Sequence, residues 1–373
     1  VDSKLISDQR LNPTGLNLLL SLAAVLSLAG LIFDWQVGEL QVGFSITLPL
    51  WLCTLLTAAV GYWAIPLLQA IKAGQFIRED GPQTHLQKAG TPTMGGVFFV
   101  PVGVAVALLW SGFALGMSGF IPVLAVSLLT LGFGFIGWLD DWQILQRKSN
   151  TGISPKMKLG LQIGVAVLFC LWLLWSQPAT ITTIALPFGW ALPLGLLFWP
   201  LAGFAMVAES NATNLTDGVD GLAAGTGAIA LLGLGAIIAP VSPGLTIFCA
   251  CMSGSYLGFL VHNRNPARVF MGDTGSLALG GALVGVGLLT NALWILLIIS
   301  GIFFVESVSV IAQVTYYKAT KDAEGKGKRL FKMAPFHHHL ELSGWTETQI
   351  VGAFYFINAF LVLLAFFLQS SLF

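Results

Sequence analysis

The chain has 373 residues, of which 56% are hydrophobic and only 9% charged, with a mean hydropathy of +0.84. Soluble domains carry roughly 25% charged residues, so this composition excludes a soluble fold and points to an all-α polytopic membrane protein. The formal net charge of +0 identifies no partner; the placement of the charges along the chain is what informs.

In chain order, the apolar stretches long enough to cross a bilayer cover residues 15–33, 43–71, 94–117, 120–139, 159–176, 192–209, 221–241, 244–262, 276–290, 293–317 and 349–369. Residues 276–317 are interrupted mainly by Asn291. As one helix they would run about 63 Å at 1.5 Å per residue, so two crossings joined by a tight turn are expected. Between the fifth and sixth spans, residues 179–194 read as a short exterior hairpin. No short basic segment followed by a small-residue cleavage site stands at the start, so no removable signal peptide is expected. Cys53, Cys170, Cys249 and Cys251 all fall inside apolar runs and read as small core residues.

With eleven crossings, every Lys and Arg falls on one side of the membrane. They occupy positions 4 and 10, then 72, 78 and 88, then 147, 148, 156 and 158, then 264 and 268, and lastly 318, 321, 326, 328, 329 and 332. The alternate loops contain none. This positive-inside pattern places the N-terminus in the cytoplasm and the C-terminus outside.

Five loops on the cytoplasmic side hold the polar residues. The first includes Lys88, Thr91, Pro92, Thr93, Met94, Gly95 and Gly96. The second starts at Asp140 and Asp141 and runs to Lys156 and Lys158. The third, residues 211–221, spaces Asn211, Asn214, Asp217 and Asp220 by threes, which would align neighbours on one face if the segment is helical. The fourth contains Asn263, Phe270 and Asp273. The fifth ends in Ala334, Pro335, Phe336, His337, His338 and His339. Isolated basic residues at helix ends are ordinarily topology signals, and Asn-x-Thr at 211 and 214 is no glycosylation site in a cytoplasmic loop. Three adjacent histidines point in different directions, which disfavours tridentate metal capture.

The combination argues for chemistry. Asp140, Asp141, Asp217, Asp220 and Asp273 gather at one membrane face without matching local cations, which suggests a hard divalent ion, Mg²⁺ rather than Zn²⁺. Lysines, threonine hydroxyls and Gly-rich helix starts suit phosphate oxygens. No P-loop and no His-Glu-x-x-His motif is present. Glu306, inside an apolar span, either lines a lipid groove or hydrogen-bonds to a neighbouring helix. An ion-coupled transporter would place more ionisable groups at the membrane midplane.

These motifs, in order over about residues 43–373, resemble the polyprenyl-phosphate N-acetylhexosamine-1-phosphate transferases. Residues 91–96 together with 335–339 look most like the branch that moves phospho-N-acetylmuramoyl-pentapeptide. The resemblance implies ten transmembrane helices, here preceded by one additional N-terminal span within residues 1–42, with the transferase domain over 43–373. It implies transfer from UDP-N-acetylmuramoyl-pentapeptide to undecaprenyl phosphate, forming lipid I and UMP at the cytoplasmic face of a bacterial plasma membrane. A related transferase of N-acetylglucosamine-1-phosphate is the alternative. By the same resemblance Asp273 is the Mg²⁺ ligand, and Asp140, Asp141, Asp273 and His337 are the catalytic set. Lys88, Thr93, Lys156, Asn211, Asn214, Asp217, Asp220, Asn263, Phe270, His338 and His339 line the substrate site. The lipid bilayer is a partner, nucleic acid is not, and a homodimer is implied by the resemblance alone.

Overall fold

The computed structural model describes residues 13–36, 43–71, 90–147 and 151–370. The described chain is mostly helical. Helix α1 (Gly15–Gln36) is followed by α2 (Thr47–Ala70), α3 (Gly96–Arg147) and α4 (Pro155–Ser176). After a short hairpin come α5 (Phe198–Thr216), α6 (Leu222–Ile238), α7 (Pro243–Asn263) and α8 (Gly272–Leu289). The last part holds α9 (Leu293–Ile299), α10 (Gly301–Ala319), α11 (Phe336–Glu341) and α12 (Glu347–Ser370).

Among the described residues, seven helices are long and apolar enough to cross a membrane, or eight if the bent pair α9 and α10 counts as one span. The difference from the eleven expected stretches has identifiable sources. Helix α3 covers 52 residues as two helical segments, and it carries two of the expected stretches. Gly116 interrupts it with φ 64 and ψ −159, close to the expected loop at 118–119. Helix α6 has only 17 residues and falls short by length, and the last two turns of α5 are polar. Helices α9 and α10 meet at 72° beside Ser300.

Two connecting features match the sequence reading. Strands β1 (Thr183–Ala185) and β2 (Ala191–Pro193) pair antiparallel, with Thr183 opposite Pro193. Asn291 turns the chain between α8 and α9 with φ 53, and its Nδ2 donates to the Thr183 carbonyl at 2.7 Å. Helix α1 is tied to α2 by Asp34, whose carboxylate accepts the Ile46 N–H at 2.9 Å and the Ser45 hydroxyl at 2.7 Å.

Helices α7 and α8 form the centre and are buried along nearly their whole length. Their surfaces are rich in Gly, Ala and Ser, which lets backbones approach closely where lipid supplies no hydrophobic drive between helices. Helix α3 packs most extensively on α8, and α5 covers another side of α8. On α3, two glycines that face α8 leave no room for a side chain. A Cβ on Gly96 would overlap the backbone of Gly275, and one on Gly137 would overlap the backbone of Asp273. These contacts bring the polar ends of α3 and α5 around the first turn of α8, where Asp273 sits.

Candidate active site

Asp273 is the second residue of α8, and its side chain is 23% exposed. The Lys158 ammonium is ion-paired with its Oδ2, and Asn214 Nδ2 donates to its Oδ1 at 2.8 Å and to the Ser276 hydroxyl at 2.9 Å. The Asp140 side chain lies within hydrogen-bonding reach of the same carboxylate, while its own Oδ1 accepts the Ile153 N–H at 2.9 Å.

The adjacent aspartate does something different. Asp141 is buried, and both of its oxygens are engaged by the start of α8. Oδ1 accepts the Asp273 N–H at 3.1 Å; Oδ2 accepts the Thr274 N–H at 3.0 Å and the Thr274 hydroxyl at 2.6 Å. A helix start leaves its first N–H groups unsatisfied and favours negative charge. Asp141 therefore holds the turn that presents Asp273.

The third loop is helical only through Thr216. Asn214 is on α5, Asp217 caps its end, and Gly221 enters α6 with φ 82. The expected single helical face thus ends before Asp217 and Asp220, because the chain turns there. Asp217 accepts the Gly272 N–H. Burial, reinforced by the charges of Asp273, Asp141 and Asp220, pushes its carboxyl up to about 8. Asp220 Oδ2 accepts the Ala267 N–H at 3.0 Å and the Asn265 amide at 3.3 Å. Asn263 bridges the third and fourth loops, accepting the Gly221 N–H at 3.0 Å and donating to the Val269 carbonyl at 2.9 Å. Asn211 faces α4, where its amide donates to Gln162 at 2.9 Å.

The Thr-Pro-Thr-Met-Gly-Gly stretch runs beside Phe270 and Met271. The Phe270 N–H donates to the Pro92 carbonyl at 2.8 Å, and the Gly95 N–H donates to the Phe270 carbonyl at 2.9 Å. The Thr93 hydroxyl lies against Gly272. His337 is fully buried against Glu306, and His338 pairs with Glu341 at 2.6 Å. His339 Nδ1 accepts the Lys332 N–H at 3.2 Å. Lys88 lies outside the described residues. Lys156 is exposed, and among the described residues the cation paired with Asp273 is Lys158. Sequence reasoning named Lys158 within its loop and gave it no role. The two lysines, two residues apart in the first turn of α4, carry the same charge, and only the seating of that helix distinguishes them.

Among the described residues, no group of three or more His, Cys, Asp or Glu side chains forms a metal cage. Mg²⁺ seldom uses one; it keeps water and takes one or two carboxylates together with substrate phosphates. Asp273, with the Asp140 carboxyl in hydrogen-bonding reach, offers a donor set of that kind.

Comparison with known proteins gives the family. Residues 123–291 match the model of glycosyl transferase family 4, and residues 88–100 match phospho-N-acetylmuramoyl-pentapeptide-transferase signature 1. Over 373 residues, 100% of both chains, the sequence is 65% identical to the phospho-N-acetylmuramoyl-pentapeptide-transferase of Nostoc sp. (strain PCC 7120). The chain belongs to the phospho-N-acetylmuramoyl-pentapeptide-transferase family. Identity is 66% over 366 residues to the transferase of Trichormus variabilis, covering 98% of each chain. It is 58% over 358 residues to that of Synechococcus elongatus, covering 94% of this chain and 95% of the relative. The family signature includes the residues that pair with Phe270 and Met271, and the glycosyl transferase match spans Asp140, Asp141, Asn214, Asp217 and Asp273.

Proposed function

We propose that the chain transfers phospho-N-acetylmuramoyl-pentapeptide from UDP-N-acetylmuramoyl-pentapeptide to undecaprenyl phosphate, yielding lipid I and UMP in peptidoglycan synthesis. The observation that carries this reading is end-to-end identity of 65% with a transferase of that name. The site at Asp273 supports it with groups suited to diphosphate chemistry. The same reading takes α3 as two crossings and α5 and α6 as one each, for ten family spans preceded by α1. By the positive-inside rule the site then faces the cytoplasm.

Each residue has a physical task in this proposal. The acceptor is already a phosphate anion and needs little deprotonation near neutral pH. The main obstacle is its repulsion by the diphosphate. Lys158, seated beside Asp273, offsets part of that repulsion and draws phosphate oxygens to the carboxylates. Asp273 and Asp140 would hold Mg²⁺, which when bound supplies positive charge for the diphosphate and for departing UMP. Asp141 fixes the backbone of Asp273. Asn214, Asp217 and Asp220 form a wall for the nucleotide, with Phe270 beside it. An oxygen of the lipid phosphate attacks the sugar-linked phosphorus, and the bond to UMP breaks, its electron pair leaving with UMP.

Purified full-length protein tests this directly. UMP release and lipid I formation are expected with UDP-N-acetylmuramoyl-pentapeptide and undecaprenyl phosphate, and not with UDP-N-acetylglucosamine. Asp273→Asn should abolish release while the protein stays folded. Near-normal release by that variant at low Mg²⁺ would remove the metal from Asp273, and a trapped phospho-enzyme on Asp140 would replace direct attack by a two-step route.

A further inference from the structure

Glu306 lies in α10, inside the membrane-spanning bent pair, and has no solvent exposure. Its Oε2 is 3.1 Å from His337 Nδ1, and the His337 backbone N–H approaches Oε1 and Oε2 at 3.2 and 3.4 Å. Both side chains are 0% exposed. One carboxylate therefore grips both the backbone and the ring of His337. An ionised Glu306 only accepts hydrogen bonds, which assigns the shared proton to the ring nitrogen facing it.

The other ring nitrogen is an orphan. His337 Nε2 is buried and has no hydrogen-bond partner. A buried polar atom left unpaired is unfavourable, and in a native structure it calls for a missing partner. Across from Nε2 lies Gly218, in the turn between Asp217 and Asp220. A Cβ on Gly218 would overlap Nε2. The absence of a side chain there lets the ring edge reach the wall formed by the third loop.

We propose that Glu306 is a positioning residue for the transfer, holding His337 with Nδ1 protonated and Nε2 bare, so that Nε2 accepts a hydrogen bond from a hydroxyl or amide N–H of the nucleotide-sugar at the Gly218 turn. This rests on the transferase reading of the site. The chemistry is specific: a bare Nε2 takes a donor, whereas a protonated Nε2 would take a phosphate oxygen. Orientation of a histidine by the group on its other nitrogen is a general device. Here that group sits on a helix separated from His337 by about thirty residues of chain.

The test uses the full chain in lipid nanodiscs, with UMP release measured for E306Q, E306A, H337Q and the double variant E306A/H337Q. E306A is expected to lower kcat about 10- to 100-fold, with KM for undecaprenyl phosphate unchanged. E306Q, whose amide oxygen still accepts one of the two N–H groups, should fall between wild type and E306A, and it carries the test if E306A does not fold. The double variant should be no slower than H337Q, because both changes remove one function. In protein labelled with ¹⁵N-histidine, the resonance pair lost in H337Q should show an unprotonated Nε2 in wild type and a mixture of tautomers in E306A. Wild-type kcat in E306A and E306Q beside a slow H337Q would overturn the proposal, as would a protonated Nε2 in the wild-type protein or additive losses in the double variant. Wild-type turnover by H337Q would overturn both this proposal and the placing of His337 in the reaction.

Discussion

Replacing Asp141 with asparagine separates the holding of Asp273 from the chemistry performed on it. Asp141 accepts three hydrogen bonds from the first turn of α8, at 3.1, 3.0 and 2.6 Å, and at 4% exposure no water can take over. Asparagine keeps one oxygen. If that oxygen stays with the two donors of Thr274, the new amide N–H₂ confronts the Asp273 N–H, donor against donor. One bond to a charged acceptor is then lost, and the other two become bonds to a neutral one. With charged acceptors contributing about 1.5–3 kcal/mol per bond and neutral ones about 0.5–1.5 kcal/mol, the sum is roughly 5 kcal/mol. Thermal unfolding of purified Asp141→Asn in detergent should therefore start several degrees lower, and UMP release should fall because Asp273 is displaced. Asp273→Asn, by contrast, loses turnover without that loss of stability. An Asp141→Asn protein that melts like wild type and is still inactive would refute the holding role and return Asp141 to the reacting groups.

Lys158→Met should lower UMP release at least about 100-fold, more than Lys156→Met does, since only Lys158 reaches Asp273; electrostatic groups at such sites are worth roughly this much. The reverse order would give the role to Lys156. Gly96→Ala must part α3 from α8, because the new Cβ meets the backbone of Gly275; overpacking of this kind costs about 1–3 kcal/mol, to be read as a lower midpoint of unfolding. Asp217 sets a pH dependence. Its carboxyl titrates near 8 in the folded chain against 3.8 when unconstrained, so between those values the folded state holds a proton that the unfolded state has lost. Stability then falls as pH rises across that window. Asp217→Asn should melt higher than wild type at pH 8 without added Mg²⁺, with the gap closing toward pH 4; an equal gap at both pH values would contradict the burial of Asp217 among neighbouring carboxylates.

Much of the architecture was legible because hydropathy and charge act through local composition. The apolar stretches at 15–33, 43–71 and 349–369 coincide closely with α1, α2 and α12, and the hairpin expected at 179–194 forms over β1 and β2. The turn at Asn291 was readable from one polar residue in a long apolar run. The helical face proposed for Asn211, Asn214, Asp217 and Asp220 was only half right. Spacing by three is compatible with a helix, but the glycines at 218 and 221 let the chain turn, and Gly221 adopts φ 82.

Sequence alone determined the membrane class, the set of polar loops and the acids that fill them, since each is a property of residues near one another in the chain. Tertiary structure decided how those residues divide the work. Asp140 and Asp141 are neighbours with the same side chain, yet one faces Asp273 and the other braces its backbone. Lys158 rather than Lys156 reaches the carboxylates, and Glu306 finds His337. The physical reason is the same in each case. These contacts join helices distant in sequence, and their geometry depends on how closely α3, α5 and α10 pack on their neighbours, which no local pattern encodes.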